Sequence, residues 1–325
     1  MSYKFAMVFP GQGSQSIGML HDLAAEHAIV HETFEQASSV LNIDLWEIVR
    51  HGPLERINQT EITQPVLLAA SVAIWRIWHR NGGPNPTVMV GHSLGEYSAL
   101  VCAGVLDFSD AVRLVYERGR CMQNAVPENV GAMAAIVGLS NEIVERWCEE
   151  ISQQKLVSPA NYNAPGQLVV AGYAEAVDEL IERAKQAGAK IAKRLLVSVP
   201  SHCALMKNAS ESFGQLLNNI EYKAPFIPVI HNVDLGTHMF AQEIKNALLK
   251  QLEFPVRWTE SIELLANRFH VKSVFECGPG KVLCGLIKRI DSNIECYSLS
   301  HSEGLNNALE LMNSLFHFDK DVDLI

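Results

Sequence analysis

An apolar, β-branched run that stops at a small residue and is followed at once by helix-forming residues is the most constraining feature of this chain. The stretch from 87 to 97 reads Thr-Val-Met-Val-Gly-His-Ser-Leu-Gly-Glu-Tyr, which predicts a strand, a sharp turn and a helix. Ser93 stands between Gly91 and Gly95, the G-x-S-x-G spacing of a nucleophile elbow. Since glycine has no side chain, the backbone bends tightly there and presents the hydroxyl. We therefore predict that Ser93 is a catalytic nucleophile.

The same turn offers a site for negative charge. A helix beginning at Leu94 leaves its first amide hydrogens without intrahelical partners, and the Leu94 amide can then stabilise an oxyanion next to Ser93. A second Gly-rich loop, residues 10–15, follows the first predicted strand, but its G-x-G lacks the third glycine of a dinucleotide fingerprint. If the two strands are neighbours, the Gln12 amide is a second oxyanion donor, and otherwise the loop is a plain turn.

Composition excludes several function classes. The 325 residues carry a formal charge of −10, which argues against general nucleic-acid binding. The longest nearly apolar run, 66–77, is shorter than the roughly 20 residues that a transmembrane helix needs. The N-terminus shows no secretory signal, so we expect a cytoplasmic protein that does not act at a membrane. The seven cysteines are odd in number and never form C-x-x-C, which favours free thiols over disulfides or a metal site.

An arginine lies on the apolar face of a predicted helix over 107–124. Arg118 shares that face with Ala111, Leu114 and Met122. A guanidinium facing inward is costly unless acceptors meet it, and its planar fork suits a carboxylate. From the residues alone a structural salt bridge is the favoured interpretation, and binding of a substrate carboxylate is the alternative.

A serine hydroxyl needs a base that accepts its proton. His202 stands at a loop-to-helix junction, where a histidine is often only a cap or a surface group. We nevertheless choose His202 as the base, because His92 adjoins Ser93 but points elsewhere along the turn.

The order of predicted elements indicates an α/β fold. Alternating strands and helices predict a large α/β-hydrolase-like domain with a mostly parallel sheet, formed by 1–126 and 198–325. Residues 131–197 read strand, helix, strand, strand, helix, strand, the ferredoxin-like order. We therefore predict an inserted ferredoxin-like subdomain over 127–197, whose 161–167 turn faces the cleft.

Eight short motifs occur in order along almost the whole chain. They are Gly11-Gln12-Gly13-Ser14-Gln15, Gly91-His92-Ser93-Leu94-Gly95-Glu96, Arg118-Gly119 with Met122-Gln123, Gly131-Ala132-Met133, Asn163-Ala164-Pro165-Gly166-Gln167, Pro200-Ser201-His202, Pro255-Val256-Arg257-Trp258 and Gly278-Pro279-Gly280-Lys281. Together they resemble the malonyl-CoA:acyl-carrier-protein transacylases of dissociated fatty acid synthesis.

The resemblance implies a ping-pong acyl transfer without a cofactor. Ser93 would attack the malonyl thioester, coenzyme A would leave, and the phosphopantetheine thiol of the acyl carrier protein would take the malonyl group. His202 would act as base and then as acid. The family's oxyanion hole maps to the backbone amides of Gln12 and Leu94.

Further roles also follow only from the resemblance. The family's clamp for the malonyl carboxylate maps to Arg118, which reverses the preference for a structural salt bridge. A carbonyl oxygen at the position of Gln251 would orient His202, where serine hydrolases use a carboxylate. His92 and Asn163 are possible cleft residues.

The implied partner is an acidic carrier protein, which basic side chains would attract. Candidates for its landing patch are Lys190, Lys193, Arg194, Lys281, Lys288 and Arg289. An ordinary solvated basic face explains any one of them equally well. We expect the protein to be a monomer.

Three other functions compete with this hypothesis. A stand-alone acyltransferase of polyketide synthesis would use the same chemistry. A serine thioesterase or hydrolase would need an acid between Ser93 and His202, such as Asp107 or Asp178, and leaves Arg118 unexplained. A carrier-binding protein with an inactive site is disfavoured because both Ser93 and His202 are present.

Overall fold

The computed structural model describes residues 3–127, 129–195, 197 and 199–322. The strands are, in chain order, β1 (Phe5–Phe9), β2 (Val88–Gly91), β3 (Gly131–Val137), β4 (Val157–Ala164), β5 (Gln167–Tyr173), β6 (Ile191–Arg194), β7 (Val229–Ile230), β8 (Ser273–Glu276) and β9 (Glu295–Ser298). The α-helices are α1 (His21–Glu26), α2 (Ile29–Leu41), α3 (Leu45–His51), α4 (Leu54–Ile57), α5 (Thr60–Arg80), α6 (Gly95–Cys102), α7 (Phe108–Ala125), α8 (Asn141–Ser152), α9 (Ala174–Gln186), α10 (Lys207–Leu217), α11 (Ala241–Gln251), α12 (Trp258–Asn267), α13 (Val282–Ile290) and α14 (Ser302–Val322).

A parallel sheet forms the centre of the larger part of the fold. Its strands lie in the order β7, β2, β1, β8, β9, and every pairing among them is parallel. Strands β1, β2 and β8 are buried along their whole length, which requires the apolar runs seen in the sequence. The predicted α/β class with a mostly parallel sheet is confirmed.

A smaller antiparallel sheet has the order β4, β5, β3, β6. Helices α8 and α9 cover one of its faces and share a hydrophobic cluster with it. This strand order is that of a ferredoxin-like unit. Its elements span 131–194, and the boundaries 127 and 197 of the inserted unit stay a prediction.

One local expectation needs correction. Asn163 lies inside β4 rather than in a turn, since the strand continues to Ala164 and only Pro165 and Gly166 make the hairpin. Strand β7 has only two residues, Val229 and Ile230, which pair with Met89 and Val90 of β2.

The cysteine expectation is wrong in one place. Cys284 on α13 and Cys296 on β9 form a disulfide, because the helix packs against that strand and brings together residues 12 positions apart. The cysteines that remain free among the described residues are Cys102, Cys121, Cys148, Cys203 and Cys277. None of the described helices combines the length and the apolar character needed to cross a membrane.

The sheet brings two loops to one edge. Strands β1 and β2 are paired with Phe9 opposite Gly91, so the loop of Gln12 and the turn of Ser93 leave the same carboxyl end. This is the neighbour relation on which the role of the Gln12 amide depends. A Cβ atom at Gly95 would lie 2.0 Å from the Phe9 main-chain oxygen, so the close approach of α6 to β1 requires glycine there.

We predict that Gly95→Ala destabilises the fold by about 1–3 kcal/mol, because a methyl group would meet main-chain atoms that cannot move aside. The matched control is Gly285→Ala in α13, where a Cβ has no atom within 4 Å. That change should be neutral or stabilise by up to about 1 kcal/mol through helix propensity. Urea unfolding of both variants checks the difference, and equal stabilities would contradict the proposed crowding.

Candidate active site

The hydroxyl of Ser93 is paired with His202. Ser93 Oγ lies 2.8 Å from His202 Nε2, although 109 residues separate them. Both residues have left-handed backbone conformations, with φ of 52° at Ser93 and 62° at His202. Non-glycine residues in this region are strained and are concentrated at functional sites. The fold therefore holds both members of the pair in fixed, unfavourable conformations that aim them at each other.

The orientation of His202 is set from its other ring nitrogen. Nδ1 lies 2.6 Å from the main-chain oxygen of Gln251, and a carbonyl oxygen only accepts hydrogen bonds, so Nδ1 must carry the proton. Nε2 is then the acceptor for the Ser93 hydroxyl. The orienting atom belongs to the main chain, so a side-chain substitution at Gln251 leaves it in place.

Burial decides the protonation state of His202. It lowers the pKa of His202 to about 3; the positive charge of Arg118 and proximity to His92 lower this pKa too, while the Gln251 hydrogen bond acts the other way. Desolvation disfavours the charged imidazolium. His202 is consequently neutral at neutral pH and ready to accept a proton.

Arg118 reaches the same place from α7. It is only 1% exposed, and burial lowers its pKa, yet a guanidinium keeps its charge in proteins. One terminal nitrogen lies 2.8 Å from Gln64 Oε1, and the other lies 2.9 Å from Gln251 Oε1 and 3.4 Å from Ser93 Oγ. The ring of Tyr97 lies 5.3 Å from the guanidinium carbon.

The partners of Arg118 are thus neutral groups. Among the described residues, no carboxylate forms an ion pair with it, whereas surface arginines such as Arg183 and Arg257 do pair with glutamates. Its Nε is buried without a partner in the described part of the chain. The structural salt bridge favoured from the residues alone is therefore absent there.

Gln12 and Leu94, the two predicted oxyanion donors, line the cavity beside Ser93. Neither the Gln12 amide nor the Leu94 amide donates a hydrogen bond to another described residue. The cavity has a volume of about 100 Å³, which suits a short acyl group. Its described lining residues are Gln12, His92, Ser93, Leu94, Arg118, Met122, Met133, Asn161, Leu195, Val197, Val199, Ser201 and His202.

His92 and Asn163 meet at the edge of this cavity. His92 Nε2 lies 2.8 Å from Asn163 Oδ1, which ties the elbow to β4 of the smaller sheet. The described contacts include no hydrogen bond between His92 and the Ser93 hydroxyl, and burial lowers the pKa of His92. The pair therefore joins the two sheets at the site.

The acids required by a serine hydrolase lie elsewhere. Asp107 accepts hydrogen bonds from the amides of Ser109 and Asp110 and caps α7. Asp178 is exposed and forms an ion pair with Arg194. Neither of the two carboxylates orients His202.

The basic candidates for carrier docking lie in or next to β6 and α13. Lys190 and Arg289 line one shallow surface depression, and Arg289 donates a hydrogen bond to Gln167. Arg194 on β6 is held by Asp178. The structure thus brings Lys190 and Arg289 together, and the use of the basic candidates for docking stays a prediction.

Four buried polar residues around the site escaped the sequence reasoning. They are Gln64, Glu96, His231 and Asn232. Asn232 Oδ1 accepts from the Ser93 amide at 2.8 Å, and its Nδ2 donates to Gly91 O at 2.7 Å. Two sequence features could have identified such residues. One is a single polar residue inside an apolar segment, such as Glu96 in α6, and the other is a polar residue after the carboxyl end of a strand, such as Asn232.

Among the described residues, no group of three or more His, Cys, Asp or Glu side chains could hold a metal ion.

Comparison with known proteins agrees with this geometry. The Acyl transferase domain family matches residues 6–275. The malonyl CoA-acyl carrier protein transacylase of Escherichia coli K12 is 52% identical over 308 residues, covering 95% of this chain and 99% of the relative. This chain belongs to the malonyl-CoA:acyl-carrier-protein transacylase family. The Staphylococcus aureus MRSA252 member is 40% identical, covering 92% of this chain and 96% of the relative.

Solved structures of the transacylase family share the fold. The Coxiella burnetii transacylase has a TM-score of 0.93 at 52% identity, covering 95% of this chain and 98% of that one. A type II PKS acyl-carrier protein in complex with its malonyl-transacylase also matches, with a TM-score of 0.93, 53% identity and coverage of 94% and 99%. The family resemblance inferred from the motifs is confirmed.

The low pKa of His202 predicts how Ser93 reactivity depends on pH. The rate of Ser93 labelling by phenylmethylsulfonyl fluoride should stay nearly constant from pH 8 to well below 6.5, since only neutral His202 accepts the proton. Arg118→Gln removes one cause of the low pKa. In that variant, the pH below which the labelling rate falls should therefore rise towards 6.5. Mass spectrometry after timed labelling measures both rates. A labelling rate that already falls around pH 6.5 in the unmodified protein would contradict the prediction.

Proposed function

We propose that this protein transfers the malonyl group from malonyl-CoA to the phosphopantetheine thiol of an acyl carrier protein, through a malonyl ester of Ser93. The observation that carries this proposal is the buried Arg118 guanidinium, 3.4 Å from Ser93 Oγ and partnered by neutral amides. A positive charge held this way next to a nucleophile favours an acyl group that carries its own carboxylate. The transacylases of the same family are named for this reaction.

The first half-reaction begins at the hydrogen bond between Ser93 and His202. Ser93 Oγ attacks the thioester carbonyl while His202 Nε2 takes the hydroxyl proton, and the Gln251 carbonyl stabilises the imidazolium through Nδ1. The amides of Gln12 and Leu94 stabilise the tetrahedral oxyanion. The carbon–sulfur bond then breaks, and His202 returns the proton to the departing thiolate.

The second half-reaction reverses these steps with another thiol. The phosphopantetheine thiol of the carrier protein gives its proton to His202 and attacks the ester carbonyl. The bond to Ser93 Oγ breaks, and the serine recovers its proton from His202. Since the residues supply the acid, the base and the oxyanion donors, we propose that no cofactor takes part. We also propose that the protein works in the cytoplasm.

Arg118 selects the acyl group in this scheme. Its planar fork binds the malonyl carboxylate, and the same carboxylate neutralises a buried charge. An acetyl group offers no such partner. Malonyl selectivity is therefore a consequence of where the guanidinium is held.

The same chemistry with a polyketide carrier protein is the second candidate function. It is favoured by the similarity to a malonyl-transacylase that forms a complex with a type II PKS acyl-carrier protein. Transfer assays with carrier proteins of both kinds separate the two, since the chemical steps at Ser93 are identical.

Intact-protein mass spectrometry tests the function directly. Malonyl-CoA should give a malonyl adduct that is absent in Ser93→Ala and disappears when holo carrier protein is added. Arg118→Ala should lower the malonyl-over-acetyl preference by roughly 10- to 150-fold, since hydrogen bonds to a charged group contribute about 1.5–3 kcal/mol. If no adduct forms, or if it decays to free malonate equally fast without carrier protein, the proposal is wrong.

A further inference from the structure

We propose that Glu96 is a positioning residue that aligns both the base His202 and the guanidinium of Arg118 through one shared neighbour, Gln251. This inference rests on the proposed function of the site. Glu96 touches none of the reacting groups, so its effect passes through other side chains.

Glu96 is a fully buried carboxylate with its acceptor capacity in use. It is 0% exposed. Oε1 lies 2.7 Å from His231 Nδ1, and Oε2 accepts hydrogen bonds from the Asn232 amide at 3.0 Å and from Gln251 Nε2 at 2.8 Å. A buried carboxylate persists only when such donors surround it.

Gln251 connects this carboxylate to the catalytic groups. Its main-chain oxygen orients His202, and its side-chain Oε1 accepts from Arg118 at 2.9 Å. Its Nε2 donates to Glu96 and, at 3.0 Å, to the main-chain oxygen of Ser93. One residue therefore sets the positions of the base and of the carboxylate-binding guanidinium.

Glu96 decides which way the Gln251 amide faces. A carboxylate accepts hydrogen bonds and never donates, so it draws the Nε2 end of the amide towards itself. The opposite rotation would place Oε1 against the carboxylate and the NH₂ group against a guanidinium. Glu96 thus fixes Oε1 where Arg118 can donate to it.

The distance between Glu96 and Arg118 also allows the carboxylate to compensate the charge of the guanidinium. Burial lowers the pKa of Arg118, and charge–charge attraction from Glu96, which stands one amide away, opposes that lowering. Direct contact would place a protein carboxylate where the substrate carboxylate must bind. With the neutral Gln251 amide between them, the Glu96 carboxylate offsets the buried positive charge and leaves the guanidinium available.

A second route ties Glu96 to the elbow. The Asn232 amide donates to Glu96, and the Asn232 side chain accepts from the Ser93 amide and donates to Gly91 O. Glu96 lies between Ser93 and His202 in sequence, as the acid of a triad hydrolase does. It acts through other residues, whereas a triad hydrolase places the acid directly on the histidine.

The test compares Glu96→Gln with Glu276→Gln. Glu276 is another fully buried glutamate, but it accepts from the first amides of α13, those of Leu283 and Cys284. Rates of Ser93 acylation by malonyl-CoA and acetyl-CoA are measured with the melting temperature of each variant. Glu96→Gln should slow both acylations roughly 10- to 100-fold and lower the malonyl-over-acetyl ratio, whereas Glu276→Gln should lower the melting temperature alone.

A double-mutant cycle tests the route through Gln251. The change in selectivity caused by Glu96→Gln should largely vanish in a Gln251→Met background, since the amide that transmits it is gone. An undiminished change there would overturn the proposal, and so would an unaltered ratio in Glu96→Gln. If Glu96→Gln does not fold, Glu96→Asp keeps the charge but withdraws the oxygens, and it should lower the same ratio.

Labelling by phenylmethylsulfonyl fluoride separates this inference from the proposed function, since it needs Ser93 and His202 but no thioester. Should the unmodified protein form no malonyl adduct, the proposed function fails, while slower labelling of Glu96→Gln than of Glu276→Gln still supports the positioning role. Equal labelling rates would contradict that role.

Discussion

A guanidinium removed from water is the constraint on which the rest of this site depends. Arg118 is buried in α7, and such a charge is tolerated only where acceptors and a compensating charge are arranged around it. Gln64, Gln251 and the face of Tyr97 supply the acceptors. Because these partners are neutral, the charge is stabilised by geometry and stays available to an anionic ligand.

The parallel sheet supplies the geometry. The loop of Gln12 follows β1, the turn of Ser93 follows β2, and Asn232 follows β7. Since β7, β2 and β1 are adjacent parallel strands, their carboxyl ends meet at one edge, where ligands bind in open α/β sheets. Gln251 at the end of α11 and Arg118 in α7 complete the site from helices next to that edge.

The features that could be predicted from the sequence are those determined by residues close together along the chain. The elbow around Ser93 follows from two glycines between an apolar run and a helix, and the parallel sheet follows from the order of elements. Arg118 was found as an irregularity on an apolar face, but its partners were misjudged from the residues alone. A periodic pattern shows that a side chain points inward and does not show what it meets.

The remaining features depend on contacts between distant segments. Glu96 and Asn232 are 136 residues apart yet hydrogen-bonded, and no pattern within α6 or in the segment that follows β7 indicates that pairing. The Cys284–Cys296 disulfide was missed because it requires knowing that α13 packs on β9. The roles of Arg118 and Gln251 needed the family resemblance for the same reason, since spacing along the chain does not show which distant side chains meet.

The neutral orienter of His202 bears on the choice between transfer and hydrolysis. A main-chain carbonyl stabilises an imidazolium less than a carboxylate does, and burial next to Arg118 holds the pKa of His202 at about 3. A base this weak removes a proton far more readily from a thiol, with a pKa of about 8.5, than from water, with a pKa of about 15.7. We therefore expect the acyl ester of Ser93 to react with an arriving thiol in preference to water.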